Sequence, residues 1–163
     1  MAFRCRHHGD YHEGNMLISE IGSNITNSSY ISHHSTFSYY GFTNQAFYEI
    51  YVSSDTRFND FVFEGITYRF VQSKLSEGIV KTMTNPLIYI TDIERTIVDS
   101  IKDFEKIAGL EEVLNCLDMI TYLDDKKLKK YLKLYDLQIL YQKTGYILEH
   151  YKERMKLPEN YSG

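Results

Sequence analysis

The 163-residue chain has no tryptophan, only two cysteines and no excess of basic over acidic residues. Cys5 and Cys116 are too few and too far apart to staple a small secreted scaffold, and they read as free thiols of a reducing compartment. Cys116 is expected as a small core residue and Cys5 as a thiol near a frayed end. No apolar run approaches the ~20 residues that cross a bilayer, and the polar, charged opening residues are not those of a signal peptide. The expected location is cytoplasmic, with no membrane contact. The formal net charge is −4, with seven Lys/Arg against eleven Asp/Glu in the first hundred residues and eleven against eleven afterwards. Proteins that grip nucleic acid by neutralising phosphates carry a basic surplus or patch, so DNA is not expected as a partner of this chain alone.

Motifs that carry chemistry are missing too. Gly22, Gly41, Gly65 and Gly78 stand singly, so there is no glycine-rich phosphate loop, and no Gly-x-Ser-x-Gly elbow occurs. Asp60 and Glu64 could begin a nuclease metal site, but Ile66 stands where that site needs a lysine, and Glu49 is followed by Ile50 and Tyr51. Cys5, His7, His8, Asp10 and His12 offer metal-ligand chemistry without the spacing of a compact zinc motif. His33 and His34 adjoin at a helix start, where neighbours point about 100° apart, so one is expected in the core and one in solvent. The sequence predicts no catalytic residue, no cofactor and no metal.

What is present is enough apolar material for one domain with a proper core: 43% hydrophobic and 15% aromatic residues, including fifteen Tyr and nine Phe. That aromatic skew is explained by AT-rich codons rather than by a function for the tyrosines. Residues 15–21 predict a short helix closed by Gly22, and residues 22–29 a loop. Ser32 as N-cap and Gly41 as left-handed C-cap bound a second helix with His33, Phe37 and Tyr40 inward. Residues 48–52 are apolar on both faces, as in a central strand. Glu64-Gly65 turns a hairpin that sets Phe63 opposite Ile66 and Phe61 opposite Tyr68. Thr84-Asn85-Pro86 turns another between residues 78–83 and 87–90.

From Thr91 onward the periodicity becomes helical. Thr91 with Glu94 reads as a capping box, opening a helix with Ile93, Ile97, Val98, Ile101 and Phe104 on one face. Leu110, Val113, Leu114, Leu117 and Ile120 repeat the pattern, as do Leu128, Tyr131, Leu132 and Tyr135. Leu140, Ile147, Leu148 and Tyr151 give a last helix with Gly145 inside it. The predicted class is α+β: a mostly antiparallel sheet of hairpins, a short N-terminal helical segment and a C-terminal helical cluster. One concentrated charge feature stands out, Asp124-Asp125-Lys126-Lys127-Leu128-Lys129-Lys130-Tyr131-Leu132-Lys133. Aspartates first and lysines after them match a helix dipole. Lys126, Lys130 and Lys133 share a side opposite Leu128 and Tyr135, either a solvated face or a contact for an acidic partner or for RNA held by one.

Six short motifs, in their order and spacing, carry a family resemblance: Tyr30-Ile31-Ser32, Ser38-Tyr39-Tyr40-Gly41, Phe63-Glu64-Gly65-Ile66, Arg69-Phe70-Val71, Glu94-Arg95-Thr96 and Gly145-Tyr146-Ile147-Leu148-Glu149. Together they resemble the C-terminal part of AbiEi-type antitoxins of bacterial abortive-infection systems, over roughly Gly9 to Tyr151. The resemblance implies an antitoxin of phage defence that counteracts a nucleotidyltransferase-like toxin, with no stable complex required. It also implies residues 1–14 as a remnant or disordered segment, with His8-Gly9-Asp10-Tyr11 as the tail of a winged helix. Residues 15–156 then form a single antitoxin domain and residues 157–163 a flexible tail. Because the family's winged helix represses its operon, the alternative is a transcriptional regulator working with a missing or separate winged helix.

Overall fold

A strand alternates its side chains between the two faces of a sheet, and six strands here share one sheet. The computed structural model describes residues 17–83 and 87–158. The expected wing remnant, the His- and Cys-bearing segment 5–12 and the turn at 84–86 lie outside the described residues. Helix α1 covers residues 17–23, running through Gly22 rather than stopping there. Strand β1 (Tyr30–Ile31) and helix α2 (His33–Tyr40) follow, then β2 (Glu49–Ser54), β3 (Phe61–Phe63), β4 (Ile66–Gln72), β5 (Ile79–Lys81) and β6 (Tyr89–Thr91). The rest is helical: α3 (Ile93–Lys102), a 3-10 turn (Phe104–Ile107), α4 (Leu110–Asp118), α5 (Asp125–Tyr135) and α6 (Gln138–Glu149). The α+β class is as expected, with helices at both ends.

The sheet is mixed, in the order β3-β4-β2-β1-β6-β5, rather than mostly antiparallel. Its two hairpins, β3/β4 and β5/β6, pair antiparallel, with Phe63 opposite Ile66 and Phe61 opposite Tyr68 as the turn requires. Glu64 (φ 49°) and Gly65 (φ 78°) both take the left-handed conformation of a tight two-residue hairpin turn. Between the hairpins, β4 runs parallel to β2 from Glu49↔Thr67 to Ser54↔Gln72, and β1 pairs parallel with β6 and antiparallel with β2. Turn residues encode hairpins locally; pairings between distant strands have no such signature.

Two apolar clusters hold the fold. On one side of the sheet, Ile18 and Ile21 of α1 pack against Ile31, Val52, Tyr68, Ile88 and Ile90. On the other, Phe37, Ile97, Ile101, Val113, Leu117, Leu128 and Leu148 knit α2 to the four C-terminal helices. Leu157, expected in a loose tail, is buried in this second cluster, while Leu110, at the first position of α4, stays exposed.

The helix starts differ from expectation. Asp92, not Thr91, caps α3, its carboxylate accepting from the Arg95 amide at 2.9 Å. Thr91 is still paired with Ile79 in the sheet, and its hydroxyl meets those of Thr96 (2.8 Å) and Thr36 (3.1 Å). Glu94 reaches away from its own helix to accept from the Asp124 amide at 2.9 Å. Ser32 occupies the N-cap of α2 but makes no capping bond, because its hydroxyl turns to Ser53 at 2.8 Å. Gly41 closes that helix in the left-handed conformation, as expected.

Candidate functional site

Register places Tyr30, Ser53 and Val71 side by side on the face of the sheet opposite Ile31 and Val52. Over this face lies Arg95 of α3, with no exposed surface. Its Nε donates to both Asp99 oxygens at 2.8 and 2.9 Å, one helical turn along. Nη1 donates to the Glu77 carbonyl at 2.5 Å, and Nη2 to the hydroxyls of Tyr135 (3.2 Å) and Ser73 (3.4 Å). Tyr30 donates to the same Ser73 oxygen at 2.8 Å. Burial works against the charge on Arg95, but Asp99, Tyr135 and Tyr30 outweigh it and raise its pKa. Burial and then Asp99 push the Tyr135 phenol well up, keeping it a donor. Gly78 (φ 79°) lets β5 approach this layer: a β-carbon there would meet Arg95 Cβ at 2.8 Å and the Tyr131 ring at 2.9 Å.

A cleft of about 180 Å³ opens beside the layer, lined by His33, Ser53, Ser73, Asp99, Lys102, Asp103 and Tyr135 among others. His33 and His34 are both buried, at 2% exposure each, correcting the expectation that one faces solvent. A 3.6-residue period assumes a wet side, whereas the whole first turn of α2 is enclosed from His33 to Phe37. His33 holds φ at 53°, uncommon for any residue but glycine. Its Nδ1 meets Ser32 Oγ at 2.9 Å, and its Nε2 lies 3.6 Å from Asp103, too far for a hydrogen bond. Asp103, His33 and Ser32 follow the order of a proton relay, but Ser32 is fully buried and engaged with Ser53, so it presents no nucleophile to the cleft.

Burial raises the Asp103 pKa, yet the ammonium groups of Lys102 (2.8 Å) and Lys106 (3.6 Å) outweigh it and hold the carboxyl well below the usual range. A carboxyl depressed in the folded state stabilises it above the unfolded pKa of about 4, and that contribution fades as pH falls toward the folded value. Asp103→Asn is therefore expected to lower the urea midpoint at pH 7, with the deficit narrowing below about pH 4. An equal deficit at pH 7 and pH 3 would refute this role.

His34 faces the other way. Its Nε2 lies 3.2 Å from Glu112 Oε1 and 3.3 Å from Thr43 Oγ1, with its ring against Phe47 at 3.8 Å between centroids. Cys116, buried as expected, points its thiol at the same Glu112 oxygen from 3.7 Å. Burial lowers the His34 pKa and raises that of Cys116 to about 12.

The charged stretch forms α5, capped by Asp124 through the amides of Lys126 (2.9 Å) and Lys127 (3.3 Å). Lys127 folds back toward Asp92 (3.4 Å) and Glu94 (3.8 Å), and Lys129 pairs with Asp125 at 2.9 Å. Lys126, Lys130 and Lys133 are exposed and, among the described residues, form no ion pair. Helical spacing aligns these three in one stripe, and Leu134 near the end of α5, Leu137 before α6 and Ile139 in the first turn of α6 are exposed. Sequence reasoning found this ridge and missed the Arg95 layer. The signal was a charged pair four residues apart, Arg95 and Asp99, on the helix that also carries Ile93, Ile97, Val98 and Ile101. Compared with known protein families and curated proteins, the chain matches no family model and no curated sequence.

Proposed function

We propose that this chain is the antitoxin of a bacterial abortive-infection system, counteracting a nucleotidyltransferase-like toxin. The observation that supports the reading is where the motifs of the AbiEi resemblance meet. Tyr30 and Arg95 share Ser73, Ser32 bonds Ser53, and Thr96 joins Thr91 and Thr36 in one buried polar layer. Glu94 ties α3 to the start of α5, and Glu64-Gly65 turns β3 into β4. Such residues hold a scaffold together, which is what members of a family with a common fold and no common catalytic centre would share. The working surface then lies outside the core, and the Lys126, Lys130 and Lys133 ridge fits an acidic partner or RNA held by one. The alternative, repression through DNA, gains nothing from a net charge of −4. Expression of the chain from an independent promoter is expected to restore growth to cells arrested by such a toxin from the same genome. Persistent arrest with the chain folded and abundant would overturn the reading.

A further inference from the structure

Glu112 is a carboxylate at 4% exposure, and its one ion-pair partner among the described residues is the His34 ring, 3.2 Å away. A buried negative charge without a cation is costly, and proteins resolve it by pairing or by metal binding. The side chains around Glu112 are ligands by type. Glu112 and Cys116 are four residues apart on α4 and share a face, while His34 comes from the first turn of α2. One donor atom from each of the three lies within 4.8 Å of the other two.

We propose that His34, Glu112 and Cys116 form a zinc site with three protein donors and a fourth position for water. The geometry fits. Tetrahedral zinc with nitrogen, oxygen and sulfur at their usual bond lengths sets N···O edges of about 3.4 Å and O···S edges of about 3.6 Å. The corresponding separations here are 3.2 Å for His34 Nε2 to Glu112 Oε1 and 3.7 Å for Cys116 Sγ to the same oxygen. The donor set selects the ion, because magnesium and calcium take oxygen ligands alone while zinc accepts imidazole, carboxylate and thiolate together. Thr43, donating to Glu112 Oε1 at 2.7 Å, and Phe47, against the His34 ring, orient the ligands from outside. Both lie in the irregular segment between α2 and β2.

Charge closes the argument. When zinc binds, the Cys116 S–H bond breaks, its proton leaves to solvent and the sulfur lone pair forms the S–Zn bond. The Nε2 lone pair of neutral His34 binds, with that ring's proton carried on Nδ1. Zn²⁺ with one carboxylate and one thiolate is then neutral overall, which removes the uncompensated charge from the interior.

The full chain, stripped with chelator, is titrated with Co²⁺ and then Zn²⁺. The expected result is one Co²⁺ per chain with a single thiolate-to-cobalt charge-transfer band, abolished by a stoichiometric amount of Zn²⁺. Cys116→Ser is expected to lose the band and Cys5→Ser to keep it. Glu112→Gln and His34→Gln, which keep side-chain volume, are expected to weaken zinc at least tenfold in a chelator competition. A wild-type chain without the band, a band that survives in Cys116→Ser, or one that depends on Cys5 would overturn the assignment. Unchanged affinity in Glu112→Gln or His34→Gln would do the same. Should Cys116→Ser fail to fold, Cys5→Ser decides the matter, because Cys116 is then the one thiol left in the chain and the band must come from it.

Discussion

Replacing Arg95 with alanine is expected to cost about 3–5 kcal/mol of unfolding free energy, because it strands a partner charge in the interior. Asp99 is 3% exposed and takes two hydrogen bonds from Arg95, which leaves it the Tyr135 hydroxyl alone among the described residues once the guanidinium is gone. The same substitution frees the Glu77 carbonyl and takes a donor from Ser73. Against the 5–15 kcal/mol that holds a typical domain together, such a loss is large. The pairing, rather than the bulk of the side chain, is the cause. Arg95→Met with Asp99→Leu should therefore recover much of the deficit, since a buried ion pair replaced whole by apolar groups is often neutral or stabilising. Urea denaturation of the three proteins checks this. An Arg95→Ala deficit below about 1 kcal/mol, in the range of an ordinary exposed substitution, would contradict the described layer.

The parts of this fold that were legible in the sequence are those encoded over short distances. Periodic apolar positions marked α3 to α6, Gly41 marked the end of α2, and Glu64-Gly65 fixed both the turn and the register of β3 with β4. Placing β4 beside β2, and β1 beside β6, depends on partners that no turn connects, and here the expectation of a mostly antiparallel sheet failed. The cap of α3 shifted by one residue because Asp92 caps at least as well as Thr91, whose backbone remains committed to the sheet.

The candidate sites divide along the same line. Lys126, Lys130 and Lys133 are visible as a stripe because an exposed helix face needs no partner to be recognised. Arg95 and Asp99 stand one helical turn apart and went unread as a pair, because their layer is completed by Tyr30, Ser73 and Tyr135, brought in from three other parts of the chain. Glu112 and Cys116 share a helix face, but His34 lies 78 residues before Glu112. His33 was expected inward, but the burial of His34 was not, since a periodic pattern cannot tell a helix turn enclosed on all sides from one with a wet side.

The second large effect concerns the α5 ridge. Replacing Lys126, Lys130 and Lys133 together with glutamate changes three exposed groups that form no ion pair among the described residues, so each should cost no more than ~0.5 kcal/mol. The surface potential there reverses sign, and an acidic partner that was attracted is then repelled. Growth of toxin-arrested cells, measured side by side with the wild-type chain, the triple variant and no antitoxin, tests the account most directly. The expected outcome is growth with the wild-type chain and arrest with the triple variant at equal abundance and an unchanged melting temperature. Arrest with the folded wild-type chain would contradict the antitoxin assignment, and equal growth with both would contradict the role of the ridge.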